Sequence, residues 1–113
     1  MKKIRVAVDF DGCLVKWEGF DNEDFKFLDG AKSTINDLAK KGFEFILNTV
    51  RYGKPYVKAI EFLMREKVDI RMEDEWEHKI PADIYIDDRN LFCDRIDWNE
   101  IRKELEKMTE KWC

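Results

Sequence analysis

A chain of 113 residues is long enough for one compact domain around a single core and leaves little room for a second module. Charged residues make up 41% and hydrophobic ones 44%, with both signs interspersed and a net charge of -4, so the basic stripe of a protein that coats nucleic acid is absent. No apolar run approaches the ~20 residues of a membrane span, and no contact with a membrane is expected.

The first predicted element is a strand, because Val6 and Val8 alternate with smaller or polar neighbours from Ile4 onward and β-branched residues favour that geometry. It stops at Asp9-Phe10-Asp11-Gly12. If the strand geometry persists, Asp9 and Asp11 share a face, and Gly12 lets the chain leave abruptly. Two carboxylates this close repel unless a cation or a proton lies between them. The plainer alternative is a solvated Asp-Gly turn. Lys2 and Lys3 lead straight into the strand with no apolar stretch of signal-peptide length, so a cytoplasmic protein is expected. Cys13, Cys93 and Cys113 are widely spaced and form no Cys-x-x-Cys pair, which points to reduced thiols rather than a zinc site or a disulfide framework. Cys13 is read as a small buried residue at a strand-to-loop turn rather than as a reactive thiol.

Residues Val15 to Leu28 receive no regular assignment. Their aromatic cluster of Trp17, Phe20, Phe25 and Phe27 reads as cover for a core rather than as a base-stacking platform. A helix follows, with Asp29 as its candidate N-cap, Ala31, Ile35 and Leu38 on one face, and Lys40-Lys41-Gly42 as its stop. Phe43 to Asn48 predicts a second strand that delivers Thr49 and Arg51 just past its end. The next helix is expected to begin at Pro55 and to turn Val57, Ile60, Leu63 and Met64 inward. Val68-Asp69-Ile70 reads as a short additional strand, and Arg71 to Ala82 has no clear assignment. Ile84-Tyr85-Ile86 predicts a strand that runs into Asp87-Asp88-Arg89. The last helix opens at Asp97, with Glu100 three residues on in a capping-box-like pair, and carries Ile101, Leu105, Met108 and Trp112 on one side. That stripe reads as core packing, although Trp112 leaves a contact between two copies of the chain open.

Strand and helix therefore alternate, which implies an α/β domain with a mostly parallel sheet. Three apolar strands each end in groups suited to phosphate or metal. Neighbouring strands in a sheet lie ~4.8 Å apart, so if these strands are parallel and adjacent their ends converge on one small volume at the carboxyl edge, where open α/β sheets bind their ligands. Arg51 and Arg89 flank that volume. A guanidinium there grips a substrate carboxylate or second phosphate, or it pairs with the local acids; the second reading is favoured for Arg89, and His78 reads as merely exposed.

The motifs resemble those of the haloacid dehalogenase superfamily of phosphohydrolases. Asp9-Phe10-Asp11-Gly12-Cys13-Leu14 is similar to the first signature, Asp-x-Asp-Gly-Thr-Leu, with Cys13 in place of the usual Thr. Phe45-Ile46-Leu47-Asn48-Thr49 resembles the second and Ile84-Tyr85-Ile86-Asp87-Asp88 the fourth, while Lys79 stands in the order of the third. The resemblance implies a single domain over residues 1–113, a three-layer, Rossmann-like parallel sheet with helices on both faces, and no cap domain. It implies Asp9 as nucleophile, Asp11 as general acid and base, Thr49 on a phosphoryl oxygen and Lys79 offsetting negative charge, with Mg²⁺ held by Asp9, the backbone carbonyl of Asp11, Asp87 and Asp88. The gap from Lys79 to Asp87 is short, and Lys54 is the runner-up for the positive charge. The implied substrate is a small phosphorylated molecule, with a nucleotide or a nucleic-acid end as the alternative. A receiver-like signalling module, and a binding module that retains the metal site without activity, are the non-enzymatic alternatives.

Overall fold

The computed structural model describes residues 3–19, 21–72, 81–87 and 96–112, the last four of them in backbone only. In chain order the elements are β1 (Ile4–Val8), α1 (Ala31–Ala39), β2 (Phe43–Leu47), α2 (Gly53–Arg65), β3 (Ile70–Met72), β4 (Ile84–Ile86) and α3 (Trp98–Trp112). The four strands form one all-parallel sheet in the order β3-β2-β1-β4, so the first strand of the chain lies inside the sheet, between β2 and β4. Among the described residues no helix is long and apolar enough to cross a membrane.

The register explains which side chains are buried. Val6 lies opposite Phe45 and Ile84, and Phe45 opposite Ile70, so these residues share a face with Ile4, Val8, Phe43, Leu47 and Ile86. All of them join one apolar cluster with Ala31, Ile35 and Leu38 of α1, Ala59, Phe62 and Leu63 of α2, and Trp98 and Leu105 of α3. The described helices thus feed the same face, as right-handed β1-α1-β2 and β2-α2-β3 connections require of α1 and α2. The opposite face carries Ala7 and Ile46, both fully buried, and an ionic row in which Glu44 meets Arg5 at 3.9 Å and Arg71 at 3.0 Å.

Several local expectations change. Asp29 does not cap α1: the N-cap is Gly30 at φ 81, with no side-chain cap, and the Leu28 carbonyl accepts the Ala31 N–H. A side chain at Gly30 would need that left-handed backbone and would stand 3.5 Å from the Trp98 Cβ. Helix α2 begins at Gly53, two residues before Pro55, and it buries Ala59, Phe62 and Leu63 while Val57 and Met64 are exposed and Ile60 is half-buried. The short strand after it spans Ile70–Met72 rather than Val68 to Ile70. Asp97 caps α3 as expected, its Oδ1 accepting the N–H of Asn99 at 3.0 Å and of Glu100 at 3.4 Å. Ile101, Leu105 and Met108 pack inward as the stripe requires, and the Trp112 side chain lies outside the described residues.

Candidate active site at the carboxyl edge of the sheet

Two hydrogen bonds carry the ladder one rung past the strand ends. The Asp9 N–H donates to the Ile86 carbonyl at 3.0 Å, and the Asn48 N–H donates to the Val8 carbonyl at 2.8 Å. In a parallel register these bonds set Asn48, Asp9 and Asp87 side by side, with adjacent strands about 4.8 Å apart. Two acidic residues, 78 positions apart in the chain, therefore stand on one rung at the carboxyl edge. The Asp9 carboxylate is oriented by its own loop, its Oδ1 accepting the Phe10 N–H at 2.7 Å.

Beyond Asp9 the chain makes one tight turn. The Phe10 carbonyl accepts N–H groups from Cys13, Leu14 and Val15, and Gly12 takes the left-handed φ of 75 that the reversal needs. The turn is fastened from two sides. The Cys13 Sγ lies 3.5 Å from the Ile86 carbonyl, and the Trp98 indole Nε1 donates to the Cys13 carbonyl at 2.8 Å. Cys13 is fully buried, as its turn position suggests. The chain then runs out and returns: Val15 pairs antiparallel with Phe27, and the Leu28 N–H donates to the Leu14 carbonyl. Phe25 and Phe27 from this arm pack on Phe62, and Phe25 meets Phe10 edge to face at 5.0 Å, so these aromatics cover the core.

Asp11 is not left to solvent. Arg51 Nε lies 2.6 Å from its Oδ2 and Nη2 lies 2.7 Å from its Oδ1, a two-pronged ion pair. The Arg51 side chain is only 1% exposed and that of Asp11 13%. The remaining prong, Nη1, points to the Pro55 carbonyl at 3.4 Å, and the guanidinium lies 5.3 Å from the Phe10 ring centre and 5.2 Å from that of Phe25. Of the two expectations for Arg51, the ion pair is the one these contacts show: the guanidinium lies among Asp11, two rings and a carbonyl. Thr49 sits in the same loop, where its hydroxyl oxygen accepts the Arg51 N–H at 3.1 Å. A hydroxyl that accepts in this way keeps its own proton to donate.

Lys54 lies in the first turn of α2, next to the Pro55 whose carbonyl faces Arg51. It lines a cleft of about 330 Å³ with Pro55 and Lys58 of α2 and Asp21, Asn22 and Glu23 of the arm after β1. A second recess, about 270 Å³, is bounded by Val50, Arg51, Tyr52 and Pro55, with the Tyr52 ring almost wholly exposed at its rim. Lys79, Asp88, Arg89 and His78 lie outside the described residues. Among the described residues no three His, Cys, Asp or Glu side chains come together as a metal-holding group; Asp9 and Asp87 supply two carboxylates. Trp98, the Phe10 ring and Asn48 are contributors to the site that pattern reading does not single out, and Phe25, expected as core cover, also packs on the guanidinium.

No protein-family model matches the chain, and no curated protein does. Among solved structures, the chain is similar to a conserved protein coded by a locus from Bacteroides thetaiotaomicron. The two are 26% identical, superpose with a TM-score of 0.78, and are matched over 95% of this chain and 93% of the other. The parallel α/β architecture is therefore shared over nearly the full length of both.

Proposed function

We propose that the protein is a Mg²⁺-dependent phosphomonoester hydrolase that works through an aspartyl-phosphate, on the three-layer, Rossmann-like and capless arrangement that the haloacid dehalogenase resemblance implies. The observation that supports it most is the shared rung of Asp9 and Asp87 at the end of an inner parallel strand, with Thr49 one loop away. In this reading an Asp9 carboxylate oxygen attacks phosphorus and forms the new P–O bond. A proton that Asp11 has taken up from solvent, at a lone pair the Arg51 fork leaves open, passes to the leaving oxygen as its bond to phosphorus breaks, and the Asp11 carboxylate later takes a proton from the water that hydrolyses the intermediate. The Thr49 hydroxyl donates to a phosphoryl oxygen. Lys79, or Lys54 in its place, offsets negative charge.

Mg²⁺ keeps several waters and needs few protein ligands, so Asp9, the Asp11 backbone carbonyl and Asp87, with Asp88 beside it, form a suitable donor set. Bound there, the ion would neutralise charge on the transferring phosphoryl group. The substrate class is a small phosphomonoester. A nucleotide is the second reading, and the exposed Tyr52 ring beside the Arg51 recess favours it.

The test is a phosphatase panel with Mg²⁺ that includes an aryl phosphate, nucleoside 5'-monophosphates and ribose 5-phosphate. Phosphate release is expected to require the metal, and Asp9→Asn is expected to abolish it while the protein stays folded. Metal-independent release, or turnover that survives Asp9→Asn, removes the mechanism. Faster turnover of the nucleotides than of ribose 5-phosphate selects the second reading.

A further inference from the structure

Every polar arm of the Arg51 guanidinium described above faces inward: two to Asp11, one to the first turn of α2. Its two aromatic neighbours come from different segments, Phe10 from the turn after β1 and Phe25 from the returning arm. A side chain held in this way presents almost no surface to solvent, and it fixes the plane of the carboxylate it holds. An ionised carboxylate offers about four lone-pair sites, of which the fork takes two, so the others remain to exchange a proton at the partly open edge of Asp11.

We propose that Arg51 is a positioning residue: its guanidinium aims Asp11 at the leaving oxygen. The proposal rests on the hydrolase reading above. As the bond between phosphorus and the leaving oxygen breaks, the proton moves from Asp11 to that oxygen, and the carboxylate left behind is already held by the guanidinium. Charge alone is not enough for this task, because a lysine presents a single point of charge and cannot make the two parallel bonds.

The dependence on leaving group tests this, since a nitrophenolate departs without a proton whereas an alkoxide does not. The measurement is kcat/KM, which covers the steps up to the aspartyl-phosphate, for a nitrophenyl phosphate and for glycerol phosphate. Asp11→Asn is expected to lower the alkyl value at least about a hundredfold more than the aryl value. Arg51→Lys is expected to produce the same selectivity to a smaller degree, about tenfold, with KM for both substrates little changed. Added to Asp11→Asn, it should bring no further selectivity. Because the two substrates are compared on one preparation, a partly unfolded variant gives the same ratio. Equal losses on both substrates overturn the proposal, as does a rise in KM shared by both, the signature of an anion grip. If the wild-type protein hydrolyses neither substrate, or Asp11→Asn shows no preference, the hydrolase reading itself fails.

Discussion

Among the described residues Trp98 is the largest fully buried side chain, and it gives its indole N–H to the carbonyl of Cys13, two residues past Asp11. One residue thus fills the core beneath the site and restrains the turn that carries it. Trp98→Phe leaves that carbonyl without its donor and opens a gap beside Gly30, so we expect a loss of about 2 to 3 kcal/mol in urea unfolding with an unchanged m value. At this scale the acids were legible and their partners were not. Asp9, Asp11 and Asp87 stand out because each follows an apolar strand. The Arg51 to Asp11 pair spans 40 residues and the Trp98 to Cys13 bond spans 85, and nothing in local pattern encodes a contact of that range. The sequence offered two roles for Arg51, and the structure shows the pairing with Asp11 between the Phe10 and Phe25 rings.

At the scale of elements, α2 shows how a helix can be recognised while its inward face is misjudged. Of the expected stripe Val57, Ile60, Leu63 and Met64 only Leu63 is buried, and the inward face centres on Phe62, whose ring meets Phe10, Phe25 and Phe27 together. Aromatic area outweighs the aliphatic stripe. The same helix ends in a Schellman motif: the Lys67 N–H donates to the Met64 carbonyl and the Val68 N–H to the Leu63 carbonyl, with Lys67 at φ 56. That left-handed position suits glycine, and a side chain there is strained by about 1 to 2 kcal/mol, partly offset by the greater backbone freedom glycine loses. The Lys67 carbonyl keeps its bond from Asn36 whatever the side chain. Lys67→Gly is therefore expected to stabilise the protein by about 0.5 to 1 kcal/mol, read as a higher denaturant midpoint. Gly30 and Asp29 make the converse case for α1, where an acidic residue one position too early looked like a cap and the backbone conformation needed glycine instead.

For the molecule as a whole, alternation of strand and helix was enough to foretell a parallel sheet, because only a crossover can return the chain to a parallel neighbour. It was not enough to foretell that the three described helices share one cluster, since the pattern of each helix reports its own apolar stripe and not the sheet face it meets. The proposed ion links site to stability. A ligand that binds only the folded chain adds about 2.7 kcal/mol at a hundredfold excess over its Kd. Mg²⁺ is therefore expected to raise Tm by several degrees, and Asp9→Asn and Asp87→Asn are each expected to abolish most of that rise. An unchanged Tm with Mg²⁺ in the wild-type protein counts against the site.

Strand order also has a consequence for synthesis. β1 emerges first yet needs β4, nearly eighty residues later, to complete its second edge. A chain that stops short of Ile84 carries unsatisfied amides and carbonyls along Val6 to Val8, a template for pairing with other polypeptides. Premature termination would then yield not a weakened domain but an aggregation-prone fragment.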